Sequence, residues 1–218
     1  MSKILVVGFP RSGTSLTNRI FNRHPDVSKM LFEKWLLKHV ASKRDIPKIY
    51  PKMVGDTYGE KVIWGKRTTG KNTNQTIYEY CLKWNEMFGV EAKIIQIIRH
   101  PYDTLNSLVT SKRRLPRGPR FEKNYSEYVK FASVFVDQIM KIPNCLTIKY
   151  ENLISNLDEM TSMMYTHCEI DPTHTHAEKM KSDRIFNYKQ KEFLFNYNKE
   201  LRKVIDMFNK VNGIKYDY

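Results

Sequence analysis

Acidic residues are scarce in this chain of 218 residues: 23 Asp and Glu stand against 37 Lys and Arg, a formal charge of +14 at pH 7. Such a balance favours an anionic partner, whether nucleic acid, an anionic nucleotide or an acidic substrate, and charge alone does not choose among them. Cysteine is sparse too. Cys81, Cys145 and Cys168 form no CxxC pair and no His/Cys group of zinc spacing, so reduced structural thiols are expected. His174 and His176, with Cys168, come nearest to a metal cluster, but they fall in a polar stretch that reads as a connecting loop. No metal is expected. No apolar run nears the roughly 18 residues of a membrane span. Met1-Ser2-Lys3 leads straight into the short apolar run Ile4–Val7, so no signal peptide is expected. Repeats, low-complexity tracts and Gly/Ser linkers are missing as well. A single cytoplasmic domain over residues 1–218, complete in itself, is the expectation.

What is there alternates. Lys3–Val7, Lys61–Gly65 ("KVIWG"), Ala92–Ile98 ("AKIIQII") and Cys145–Lys149 ("CLTIK") read as strands, the first and the third of them buried. Between and after them, helical patterns cover Thr14–Arg23, Leu31–Ser42, Thr76–Phe88, Tyr102–Ser111 and Glu122–Met140, and a long one runs from Glu192 to about Val211. Short apolar strands separated by helices imply an α/β fold, a parallel β-sheet flanked by helices on both faces. Ligands of such folds sit beyond the carboxyl ends of the strands.

The first strand runs into "VVGFPRSGTS", Val6 to Ser15. Gly8 and Gly13 have the spacing of a phosphate-binding loop, G-x-x-x-x-G-K-[ST], but Thr14 stands where the lysine belongs. Strand before and helix after are the context in which such a loop is credible. Amides of Ser12, Gly13, Thr14 and Ser15 would face an anion, helped by the helix dipole. The hydroxyls of Ser12, Thr14 and Ser15 add donors, and Arg11 adds a permanent charge able to bind two oxygens at once.

A second constellation is "IIRHPYDTLNSLVTSK", Ile97 to Lys112. Arg99 lies just past the carboxyl end of the strongest strand. Ser107 follows eight residues later, a little over two turns along the next helix. A guanidinium at a strand end and a hydroxyl on the following helix suit one further, separate phosphate.

Together the two segments resemble one family. "PRSGTS" is similar to the 5′-phosphosulfate loop, and "RHPYDTLNS" to the 3′-phosphate motif, of sulfotransferases that use 3′-phosphoadenosine 5′-phosphosulfate (PAPS). "TIKYENLISN", Thr147 to Asn156, resembles that family's Tyr-Glu-Asp-Leu stretch, and "VIWGKRT" its Trp-x-x-Lys-[Thr]-Pro segment. The four occur in the family's order over Ile4 to Asn156, and the remaining third matches only in being helical. The resemblance implies a P-loop NTPase-like sulfotransferase fold, with PAPS as sulfuryl donor and no metal.

It also implies roles. Arg11 and the loop amides would neutralise the departing phosphate, with Lys66 near the transferred group. Arg99 and Ser107 would hold the 3′-phosphate, and Tyr150 would approach the adenosine. Cytosolic small-molecule members carry a histidine base after the lysine, where this chain has Arg67-Thr68-Thr69. Members acting on protein tyrosines and glycans use a glutamate after a His-Pro-x-Val stretch, and "RHPDVSKMLFEKW" puts Glu33 nearly there. The resemblance is therefore closer to the glutamate-base type. Leu16 replaces the tryptophan that stacks on adenine in small-molecule enzymes. Lys181, Ser182, Arg184 and Lys189 stand in a late basic segment of the kind that relatives close over the nucleotide.

The acceptor hydroxyl or amine stays open among anionic glycan, peptide and small molecule. The loop Lys112–Arg120, with five basic residues in nine, is a candidate contact for an acidic acceptor. Two other readings compete. A P-loop nucleotide kinase or NTPase would need a loop lysine and Mg²⁺ ligands. A non-catalytic nucleic-acid-binding module would fit the charge, but no RRM, KH, helix-turn-helix or zinc-finger signature is present.

Overall fold

The computed structural model describes residues 2–32, 57–63, 77–88, 91–110, 140–174, 198–210 and 215–216. Five strands form its sheet: β1 (Lys3–Gly8), β2 (Lys29–Phe32), β3 (Tyr58–Ile63), β4 (Lys93–Ile98) and β5 (Cys145–Lys149). They lie in the order β2-β3-β1-β4-β5, and every neighbouring pair is parallel. Among the described residues the helices are α1 (Thr14–Phe21), α2 (Ile77–Phe88), α3 (Pro101–Thr110), α4 (Tyr150–Ser155), α5 (Leu157–His167) and α6 (Asn198–Phe208). None of these is long and apolar enough to cross a membrane.

A central parallel strand is covered on both faces, which is why β1 reads as a continuous apolar run and buries all six of its residues. One face carries Ile4 and Val6 of β1, Ile95 and Ile97 of β4 and Ile148 of β5. These pack with Ile20 and Phe21 of α1 and Met164 and Tyr165 of α5. On the opposite face Glu60 of β3 is fully buried, and its Oε2 accepts bonds from Tyr80 Oη at 2.8 Å and Trp84 Nε1 at 3.4 Å. Both donors stand on α2, so the buried carboxylate seats that helix on β3. Burial and the Glu60 charge together push the Tyr80 phenol well above its ordinary range.

The segment from Leu31 departs from the sequence reading. Leu31 and Phe32 close strand β2 instead of opening a helix, and Lys29–Phe32 pairs in register with Tyr58–Lys61. Met30 N donates to Asn22 Oδ1 at 3.0 Å and Ser28 N to Thr57 O at 3.0 Å, tying the short strand at both sides. The apolar spacing of the segment resembles a helix face. What decides its conformation is the edge of β3, far along the chain, a contact to which a local pattern is blind. Residues 33–42 lie outside the described residues, as do the loop Lys112–Arg120 and the expected helix after it up to residue 139.

The three cysteines are free. Burial pushes the Cys145 thiol up to about 12 and raises Cys81 and Cys168 also, the setting of inert structural thiols. His24 ends the first helix region, as its sequence context suggests. Its Nε2 lies 2.8 Å from Asp171 O, its Nδ1 accepts from Asp26 N at 3.1 Å, and its ring meets those of Tyr165 and His174 edge-on. Among the described residues no group of three His, Cys, Asp or Glu is placed to hold a metal.

The strand order locates the ligand crevice. From β1 the chain passes over β3 to reach β2, whereas from β4 it moves the other way to β5. Right-handed crossovers in opposite directions leave on opposite faces, so the carboxyl ends of β1 and β4 part at a topological switch point. The glycine loop leaves β1 there, and Arg99 leaves β4 there.

Candidate anion-binding and active site

The loop after β1 turns tightly at Gly8. A side chain there would come within 2.7 Å of Ile97 O, Ser12 Oγ and Thr14 Cγ2. Both donors of Ser12 go to Phe9 O, the amide at 3.2 Å and the hydroxyl at 2.8 Å. The Ser12 hydroxyl, expected as an anion donor, therefore serves the closure of the loop itself. Arg11 sits at φ 71° and Gly13 at φ 109°, so the backbone bulges outward between them. Gly13 caps α1, and its carbonyl accepts the amides of Leu16 at 2.9 Å and Thr17 at 3.1 Å. Thr14 and Ser15 begin the helix, where amides have no intrahelical carbonyl to bond and present themselves to an anion.

Gly13 is also required by its neighbour. A Cβ on it would lie 2.3 Å from Tyr150 Cδ2, because the Tyr150 ring packs flush against the loop. Gly13→Ala combines that clash with a backbone angle disfavoured for any L side chain, a cost of about 1–3 kcal/mol. A melting temperature lower by roughly 2–4 °C per kcal/mol is the expected result, with weakened anion binding. Thermal unfolding and titration of the variant check both.

The two sequence motifs meet in space. Arg11 Nε donates to Ser107 Oγ at 3.0 Å, joining residues 96 apart in the chain. Arg99 Nη1 donates to Arg11 O at 3.3 Å. The Arg99 guanidinium carbon stands 4.7 Å from the centroid of the Tyr150 ring, a cation–π contact. Arg99 is only 6% exposed, and its Nε has no hydrogen-bond partner among the described residues. Arg11, Arg99, Ser107, Tyr150 and the start of α1 thus form one continuous wall at the carboxyl edge of β1 and β4. Arg11 bridges its two halves, held toward Ser107.

Two residues that the sequence reading passed over complete the wall. Glu151 opens α4 beside Tyr150. Its Oε1 accepts the His100 amide at 2.8 Å, and its Oε2 accepts Tyr216 Oη at 3.2 Å. The segment bearing Arg99 is therefore pinned to α4 and, through it, to Tyr216. Lys149 Nζ lies over the Tyr216 ring at 4.5 Å and donates to Lys215 O. Glu151 lies inside the "YEN" stretch that marks the motif, so its position was available in the sequence, although its partners were not. The other residue is Lys61 of β3, whose Nζ donates to Ser15 Oγ at 3.0 Å. Its neighbours in β3 are Glu60 and Val62, and nothing in the sequence signals a partner 46 positions away.

Glu33 and Lys66 lie outside the described residues, as do Lys181, Ser182, Arg184 and Lys189. The described chain stops at Phe32 and Ile63, the carboxyl ends of β2 and β3, immediately before the segments holding the first two.

Comparison with known proteins bears on what this wall serves. A family model described as a sulfotransferase domain matches residues 1–213. The chain belongs to the sulfotransferase family. Solved sulfotransferases share its fold. The mouse sulfotransferase SULT7A1 complexed with PAP is 14% identical, with TM-score 0.60, over 97% of this chain and 85% of that one. A sulfotransferase from Alicyclobacillus acidocaldarius is 12% identical, with TM-score 0.61, over 95% and 94% of the two chains. The sulfotransferase domain from the curacin biosynthetic pathway is 13% identical, with TM-score 0.55, over 100% and 93%. Comparison with curated proteins gives no match. The five parallel strands and flanking helices are thus the sulfotransferase arrangement, and the chain is an enzyme of sulfuryl transfer.

Proposed function

We propose that this sulfotransferase takes its sulfuryl group from PAPS and passes it to an acceptor hydroxyl or amine by in-line displacement. The observation that carries the reading is the contact of Arg11 with Ser107 and Arg99, which unites two anion grips at one sheet edge without merging them. PAPS has a phosphosulfate at one end and an isolated 3′-phosphate at the other, so it needs two grips. A triphosphate would need one contiguous grip, with the loop lysine that Thr14 replaces. The buried Arg99, with a donor still unpaired among the described residues, fits the arrival of an anion better than solitude. The relative solved with PAP supports the same choice of nucleotide.

PAPS supplies the activated sulfuryl group; the protein supplies position and charge. The amides of Thr14 and Ser15, at the positive end of α1, hold the 5′ end. Arg99 and Ser107 hold the 3′-phosphate, and Tyr150 lines the space between them and the loop. Arg11 spans both grips: its Nε is committed to Ser107, and its remaining donors would serve the 5′ end. We assign the acceptor's proton to Glu33 and charge at the transferred group to Lys66, from their motifs. The residues 1–218 act as one domain, and the acceptor belongs to the anionic glycan, peptide or small-molecule classes.

Incubating the protein with sulfur-labelled PAPS and panels of phenols, glycans and peptides tests the reading. Label moving to at least one class, with release of 3′-phosphoadenosine 5′-phosphate (PAP), is expected. Labelled PAPS that neither binds nor turns over would refute the choice of donor.

A further inference from the structure

The loop lacks its lysine, yet a lysine reaches it from elsewhere. Lys61 lies in the middle of β3, opposite Val6 of β1 in the parallel register. Val6 belongs to the face covered by α1, so the Lys61 side chain runs between sheet and helix. It is 2% exposed, and its amine emerges at the first turn of α1, 3.0 Å from Ser15 Oγ. Ser15 itself is exposed, at the helix end that faces the anion. It follows directly on Thr14, the position of the missing Walker lysine.

The direction of this hydrogen bond has a consequence. An ammonium has three N–H donors and no acceptor, so the Ser15 oxygen must accept. The Ser15 proton is then excluded from that contact and must point elsewhere, and among the described residues the hydroxyl makes no other hydrogen bond. A hydroxyl polarised from behind by a cation and oriented outward is a stronger donor to an anion than a free rotor. The second grip is built the same way. A guanidinium has only donors as well, so the Ser107 oxygen accepts from Arg11 Nε and its proton is directed away from that contact. In each grip a cationic donor occupies the serine oxygen and leaves the hydroxyl proton for another acceptor.

We infer that Lys61 is a positioning residue for the sulfuryl donor. It stands in for the absent loop lysine by fixing and polarising Ser15, so that the Ser15 hydroxyl binds the 5′ end of the nucleotide. The inference rests on the PAPS reading of the site. It assigns to a strand residue outside the loop a share of the loop's anion affinity.

Calorimetric titration with PAP tests it on the wild type, Lys61→Met, Ser15→Ala and the double variant. Lys61→Met keeps the length and apolar stem of the side chain and removes the charge. Each single variant is expected to bind PAP about 10- to 100-fold more weakly, the size of one charge-assisted hydrogen bond. The double variant should be no weaker than the weaker single one, because Lys61 acts through Ser15. Affinity for adenosine 3′-monophosphate should stay unchanged in both, since the loss falls on the 5′ end. A merely structural lysine would lower the melting temperature and leave that split absent. Equal PAP affinity in Lys61→Met, or losses that multiply in the double variant, would overturn the assignment. Should Lys61→Met fail to fold, Ser15→Ala alone decides, because an exposed serine is dispensable for folding and wild-type PAP affinity in that variant refutes the proposal. A wild type that ignores PAP would instead refute the choice of nucleotide, and this inference with it.

Discussion

Arg99→Ala is expected to weaken PAP binding by about 100-fold or more, the largest loss of affinity from any single substitution at this edge. The guanidinium is held on one side by Arg11 O and on another by the Tyr150 ring, so its position is set before the ligand arrives. A phosphate loses a bidentate partner that no neighbour can replace, since Arg11 is committed to Ser107. Each charge-assisted hydrogen bond contributes about 1.5–3 kcal/mol, and two of them account for a loss of that size. Arg99→Lys keeps the charge but not the fork, and a smaller loss of about tenfold is expected from it. Calorimetry on the three proteins measures both values. Undiminished affinity in Arg99→Ala would remove the 3′-phosphate from this position. Because the Arg11 carbonyl loses its donor and the Tyr150 ring its cation, a modestly lower melting temperature should accompany the loss.

Glu33→Gln carries the largest expected effect on turnover. A positioned general base contributes about 100- to 10,000-fold, and glutamine cannot take a proton. The amide preserves the shape of the carboxyl, so PAP affinity should stay within about twofold of wild type. Glu33 lies outside the described residues, and its role as base comes from its motif. Steady-state kinetics with a responsive acceptor, beside PAP titration, separate the two quantities. Full activity in the variant would dismiss Glu33 as the base, and the proton would then need another acceptor.

Much of this architecture was legible in the sequence, for a physical reason. β1 and β4 are buried on both faces, and burial of that kind demands largely apolar runs that stand out between polar helices. The glycine loop was legible because Gly8 and Gly13 answer to local sterics, one to close backbone approach and the other to a positive φ. Arg99 and Ser107 were legible because a strand end and the next helix place them by short-range geometry. β2 was not. Its four residues owe their conformation to pairing with β3, and their own spacing points to a helix.

The same distinction separates the residues found from those missed. Lys61 touches Ser15 across 46 positions and Tyr216 touches Glu151 across 65. Nothing near either lysine or tyrosine in the chain announces such a partner. The hydroxyls illustrate the point from the other side. Ser12 and Ser15 look equivalent in "RSGTS", yet Ser12 turns inward to Phe9 O while Ser15 faces out with Lys61 behind it. Only the path of the loop distinguishes them.

The proposed function requires two separate anion grips for one nucleotide. Titrating the wild-type protein with PAP and, separately, with ATP and Mg²⁺ tests that claim most directly. Saturable binding of PAP, with little heat from ATP and Mg²⁺ under the same conditions, is the predicted result. Saturable binding of ATP with Mg²⁺ and none of PAP would contradict it.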